Sequence, residues 1–93
     1  MYAVVGQVRI DPNREDEARQ TLTERGVPMV KGLAGSAGAY WARAIDGDIQ
    51  HALWLFDSEA NARAAAAIFG QGPPPGAPAT FVSVDVCEIV AHA

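Results

Sequence analysis

The sequence predicts a single α+β domain of the ferredoxin-like type, with elements in the order βαββαβ. Three observations predict it. Four stretches, at 2–10, 37–45, 49–56 and about 80–90, alternate with the period of two that marks strands. Helical patterns separate the first strand from the second and the third from the fourth. Only Asp46-Gly47-Asp48 separates the second from the third. The arrangement implies a four-stranded antiparallel sheet with two helices on one face. Ninety-three residues suit one such domain, and no linker or repeat divides them.

Each element has local reasons. In the first strand, Tyr2, Val4, Gly6, Val8 and Ile10 share one face, and Ala3, Val5, Gln7 and Arg9 share the other. Asp11-Pro12-Asn13 stops it and can cap a helix. Glu15, Asp16 and Glu17 follow, where a helix dipole favours negative charge. Ala18, Leu22, Met29 and Leu33 recur near helical spacing. Pro28 lacks an N–H and crowds the carbonyl four residues back, so a kink or break is expected near residues 25–28. Asp-Gly between the middle strands predicts a hairpin with a type I′ turn. Ile49, His51, Leu53 and Leu55 oppose Gln50, Ala52, Trp54 and Phe56, so the third strand is largely apolar on both faces and reads as central. Ser58 caps an alanine-rich helix over 60–69, and Gly70 is placed to end it. Residues 71–79, with four prolines and two glycines, form a loop that can serve as a flap. In the last strand Val82, Val84, Val86 and Val90 form one face, with Ser83, Asp85, Cys87 and Ile89 on the other.

Composition excludes several functions. Hydrophobic residues make up 49% and charged residues 19%, which rules out a disordered chain. Net charge is −4, and the seven basic residues are scattered singly, which argues against nucleic-acid binding. The one cysteine, Cys87, permits no internal disulfide and no multi-cysteine metal site, and it fits a reducing cytoplasm. No stretch reads as a signal peptide or is apolar for long enough to span a bilayer. Phosphate-binding glycine loops, dinucleotide fingerprints and metal-ligand spacings are missing, so any chemistry is expected to be cofactor-free or to use a cofactor carried in by a partner, with no metal.

The opening strand Tyr2-Ala3-Val4-Val5-Gly6, the helix ending Val27-Pro28-Met29-Val30-Lys31-Gly32, Tyr40-Trp41-Ala42-Arg43, and Trp54-Leu55-Phe56-Asp57-Ser58 resemble the antibiotic-biosynthesis monooxygenase domain family. That family belongs to the dimeric α+β-barrel superfamily, and the resemblance covers nearly the whole chain. It implies a homodimer packed sheet against sheet. It also implies a range of activities, from cofactor-free oxidation of polycyclic phenols to haem degradation to none assigned. The haem-degrading branch uses a histidine on the second helix, and residues 59–70 contain no histidine.

A few side chains are candidates for a site, each with a plainer alternative. His51 can take a proton from a phenol near neutral pH, or it is simply a strand histidine beside the hairpin. Arg43 can hold an anionic oxygen, or it pairs across a dimer, with Asp85 as a partner. Tyr40, Trp41 and Trp54 can wall a pocket for a planar ligand, or they pack in a core or interface. Tyr40 and Trp41 point to opposite faces, so a given pocket takes at most one of them. Asp85, among valines, is a cavity base or a paired interface residue. Cys87 reads as a small buried hydrophobe, Asn61 as part of the helix cap, and His92 as frayed. The leading expectation is a dimer binding a small aromatic or apolar molecule and oxidising it without cofactor. His51 would be the base and Arg43 the anion holder. The alternative is a non-catalytic binding or oligomerisation module.

Overall fold

A computed structural model describes residues Met1–Ala93. Its elements are β1 (Tyr2–Ile10), α1 (Glu15–Thr21), a π-helical turn (Leu22–Gly26), α2 (Val27–Lys31), β2 (Ser36–Arg43), β3 (Ile49–Phe56), α3 (Glu59–Gly70) and β4 (Ala79–Glu88). A 3-10 turn at Pro12–Arg14 precedes α1. The strands form one antiparallel sheet in the order β2-β3-β1-β4. This is the ferredoxin-like βαββαβ fold that the sequence predicts.

Residues opposite each other in an antiparallel pair point to the same face. Val4 pairs with Trp54 and Val86, and Trp54 with Ala39. Gly6 pairs with Ala52 and Val84, and Ala52 with Trp41. These rows face the helices. Val4, Ala52, Trp54 and Phe56 join Val30 of α2 and Ala62 and Ala65 of α3 in one buried cluster. Burying a side chain such as Phe56 or Val4 contributes about 1.5–3 kcal/mol, which is why these rows set the orientation of the sheet. The alanines let α3 lie close to the sheet, and the Phe69 ring rests on the bare backbone of Gly6.

The opposite face is open. One row across it is Tyr40, Leu53, Val5 and Asp85; the next is Ala42, His51, Gln7 and Ser83. Ala3 lies between Leu55 and Cys87, and Cys87 is half-buried there rather than in the core.

Pro28 leaves the chain helical and changes its pitch. The Val27 N–H reaches the Leu22 carbonyl, five residues back, instead of the usual four. The extra residue rotates everything that follows. Val30, not Met29, therefore turns inward: Val30 is 1% exposed and Met29 42%.

Three further local expectations change. The β2–β3 connection is not a type I′ turn, because no non-glycine residue has positive φ and only Gly47 does so there (φ 144°). Strand β2 stops at Arg43, and Ile45, expected in it, is 97% exposed. Gly70 stays in α3, and Gly72, with φ 73°, makes the exit by donating its N–H to the Phe69 carbonyl at 3.1 Å. In β4, the register shifts opposite Gln7/Val8, so Val82 has no partner and Phe81 pairs with Val8. Phe81 thereby joins the helix side against Phe69, while Val90 lies beyond the strand and is exposed.

Candidate functional site

Two clefts open along the helical rod formed by α1, the π turn and α2. The first, about 200 Å³, lies between α2 and the β2 edge, lined by Val27, Val30, Lys31, Ala39 and Trp41. The second, about 180 Å³, lies between α1, the sheet and the proline-rich loop, lined by Ile10, Ala18, Leu22, Gln50, Pro73 and Pro78. The π turn supplies both Leu22 and Gly26 to this second wall.

The period of two divides the candidate residues between the two faces. Trp41, Arg43 and Trp54 face the helices. Tyr40, His51 and Asp85 face the open side. His51 and Arg43 therefore do not meet within the chain, and Tyr40 and Trp54 do not wall the same cavity. His51 is exposed and sits in a row with Gln7 and Ser83.

On the helix side, Arg43 bridges two elements. Its side chain is 16% exposed; Nη1 lies 3.1 Å from the Glu15 carboxylate of α1. Nη2 donates to Oε1 of Gln50 at 3.3 Å, and Nε is buried without a partner. The alternative partner for Arg43, Asp85, lies on the other face of the sheet; Glu15 takes that place. Trp54, 4% exposed, packs its ring edge-on against Phe69 with centroids 5.2 Å apart. Its indole N–H is buried with no acceptor. Such an orphan donor costs about 1–3 kcal/mol, so the interior beside Trp54 is undersupplied with acceptors.

The loop at 71–79 is held against the segment that leads from β1 into α1. Asp11 donates its N–H to the Pro78 carbonyl at 2.8 Å, and Arg14 Nη1 donates to the Gly76 carbonyl at 2.7 Å. Arg14 also grips Glu17 through two bonds of 2.6 and 2.8 Å. That hydrogen bonding holds the Glu17 carboxyl below its usual range and raises the Arg14 guanidinium above its own.

Asn61 belongs to the cap of α3. Its N–H donates to Ser58 Oγ at 3.2 Å and its Nδ2 to Asp57 Oδ1 at 2.9 Å. Two residues the sequence reading passed over matter here, Gln50 and Glu15. Gln50 had a signal: it is the one polar residue on the otherwise apolar Ala52-Trp54-Phe56 face of β3. Glu15 had none, because only the packing of α1 over the sheet brings it to Arg43.

The open face carries a third and larger cleft, of about 610 Å³, between Leu53 and Leu55 and the segment Ile89–His92. The Ile89 N–H ties this segment to the Met1 carbonyl at 3.0 Å. No helix of the chain is long and apolar enough to cross a membrane.

The same architecture occurs in the haem degrader MhuD from Mycobacterium tuberculosis, solved with two haems bound in its active site. The TM-score is 0.78 at 18% identity, covering 100% of this chain and 99% of that one. An MhuD variant with arginine replaced by serine, carrying two manganese protoporphyrin IX molecules per active site, matches with a TM-score of 0.76. Its identity is 17%, and the match covers 100% of this chain and 98% of that one. No protein-family model and no curated protein matches the sequence. Identity this low speaks to the backbone and not to the site. The resemblance noted in the sequence thus holds at the level of the fold: the chain is a ferredoxin-like α+β domain built like MhuD along its full length.

Proposed function

We propose that this chain is one subunit of a homodimeric α+β barrel that binds a small aromatic or apolar molecule between its helices and its sheet. The observation that carries the reading is the pair of apolar-lined clefts along the helical rod. At ~30 Å³ per water, each has room for about six waters, the scale of a one- or two-ring molecule. Both lie below the ~300–1,000 Å³ of drug-sized sites.

Haem, the ligand of MhuD, does not fit this side of the molecule. His51 and Cys87 both face the open side, His92 follows β4, and α3 contains no histidine. The helix side therefore offers neither imidazole nor thiolate to an iron, and neither cleft approaches the size of a porphyrin site.

The geometry favours binding over catalysis. A base must reach the substrate, and neither cleft is lined by a carboxylate or a histidine; Glu15, the α1 carboxylate that meets the sheet, is engaged by Arg43 and Arg19. Cofactor-free oxygenation is the second reading, favoured by Trp41 and Trp54 on one face. Oxygen uptake with a panel of anthrone-like phenols tests it, and equal rates in wild type and His51→Ala would remove His51 from that chemistry.

The dimer reading rests on the open face. Val5, Leu53 and Leu55 line it, and Tyr40 is 71% exposed beside Leu53. A second sheet stacking at ~10 Å would cover this patch. Light scattering at micromolar concentration should give twice the chain mass; the mass of one chain would overturn it. For the ligand, the amide spectrum of the protein titrated with small aromatics should shift along the rod. A spectrum unmoved by the whole panel refutes the binding reading.

A further inference from the structure

We propose that the cleft between α1 and the proline-rich loop selects neutral one- or two-ring molecules carrying a single hydrogen-bond acceptor, with the Gln50 carboxamide as the donor that recognises it. The proposal rests on the binding reading above and narrows it to one cleft and one chemical class.

The walls of this cleft are almost wholly apolar. Gln50 and Thr21 are its only polar side chains. Thr21 is exposed, so water serves its hydroxyl; Gln50 is half-buried at the base, on β3. The orientation of its amide follows from chemistry. An arginine has only donors, so the Gln50 atom facing Arg43 must be the oxygen. Arg43 Nη2 lies 3.3 Å from that oxygen, and the Gln50 nitrogen, which keeps contact with solvent, has no acceptor in the protein. Pinned on one side, the carboxamide offers N–H on the other. A ligand carbonyl or ether oxygen satisfies it.

The charge of the ligand follows as well. Arg43 stands behind Gln50, outside the cleft wall, and Glu15 already balances it. An ionised ligand would leave water and meet no counter-charge, which is costly. A hydrocarbon that entered would displace the water serving the Gln50 N–H and put no acceptor in its place. The loop closes the outer side through Pro73, Ala77 and Pro78, and Arg14 ties it to the turn that precedes α1. The limit of about 180 Å³ sets the size.

The test uses two probes of one shape: 1-tetralone, which has a ketone, and tetralin, which does not. Each is titrated into the isotope-labelled full chain, followed by amide chemical shifts and by the Gln50 side-chain NH₂ signal. Wild type should prefer tetralone about fivefold, the scale of one neutral hydrogen bond. The shifts should centre on Ala18, Leu22 and the Gln50 NH₂. In Gln50→Glu the carboxylate still accepts from Arg43 but no longer donates, so the preference should vanish. Equal affinities in wild type, or a preference that survives in Gln50→Glu, would overturn the proposal. Shifts centred on Val27, Val30 and Trp41 would also overturn it, while leaving the binding reading intact. If neither probe moves any amide along the rod, both readings fall. The wild-type comparison and the Gln50 NH₂ signal decide the matter even if the variant does not fold.

Discussion

Replacing Gly6 with alanine should destabilise the fold by about 1–2 kcal/mol, and the cause is a single ring. A Cβ at residue 6 would come within 3.0 Å of three Phe69 ring atoms. Overpacking of this kind costs about 1–3 kcal/mol. The alanine returns about 0.4–1 kcal/mol by restricting the unfolded chain. Phe69 is only half-buried, so it can swing outward, which keeps the net near the lower half of the range. Swinging outward also breaks its edge contacts with Trp54 at 5.2 Å and Phe81 at 6.2 Å. In a domain of 93 residues the melting temperature should fall by about 4–16 °C. Urea unfolding at fixed protein concentration measures the loss, with an unchanged slope confirming that only stability moved. The same substitution in a Phe69→Leu background should cost less than about 0.5 kcal/mol, because the obstructing ring is gone. An equal cost in both backgrounds would refute the assignment to Phe69, as would a wild-type-like Gly6→Ala.

Other consequences follow from single contacts. Glu15→Gln leaves the mostly buried Arg43 with a neutral partner; the carboxylate is itself 39% exposed, so the loss should be about 1 kcal/mol in urea unfolding, and none at all would detach the pair from stability. Leu53→Lys places a charge at the centre of the open face and, given the dimer proposed above, should halve the mass seen by light scattering while leaving far-UV circular dichroism unchanged; a retained dimer would move the interface elsewhere. Glu17 titrates below its ordinary 4.5 because Arg14 hydrogen-bonds its ionised form. Its contribution is therefore complete above that ordinary value and is lost as pH falls through the lower folded value. Glu17→Gln should flatten the acid limb of the stability profile, and an unchanged limb would show that the clip does not matter. Val30→Ala should cost about 2 kcal/mol or more and Met29→Ala under about 0.5, reversing the order that an unbroken α-helical phase implies.

The alternation of β1 and β3, the Ser58 cap and the acidic first turn of α1 were enough to reach the βαββαβ order, because each is written in neighbouring residues. The partition of faces was equally plain: period two separates Tyr40 from Trp41 and His51 from Gln50 without any tertiary knowledge. Which face meets the helices could not be read, since β3 is apolar on both. That choice is made by Ala62, Ala65 and Val30 packing on Val4, Trp54 and Phe56. It sends His51 to one side and Arg43 to the other, so the pairing suggested by their chemistry does not form within the chain. The π turn was legible only as a disturbance at Pro28; its consequence, Val30 inward in place of Met29, depends on how the backbone absorbs the missing N–H. The register shift at Val82 and the Arg43–Glu15 pair are long-range outcomes of sheet twist and helix placement. Local sequence thus determined the elements and their two faces. Only packing between distant segments decided which face became the interior, and with it which side chains could share a site.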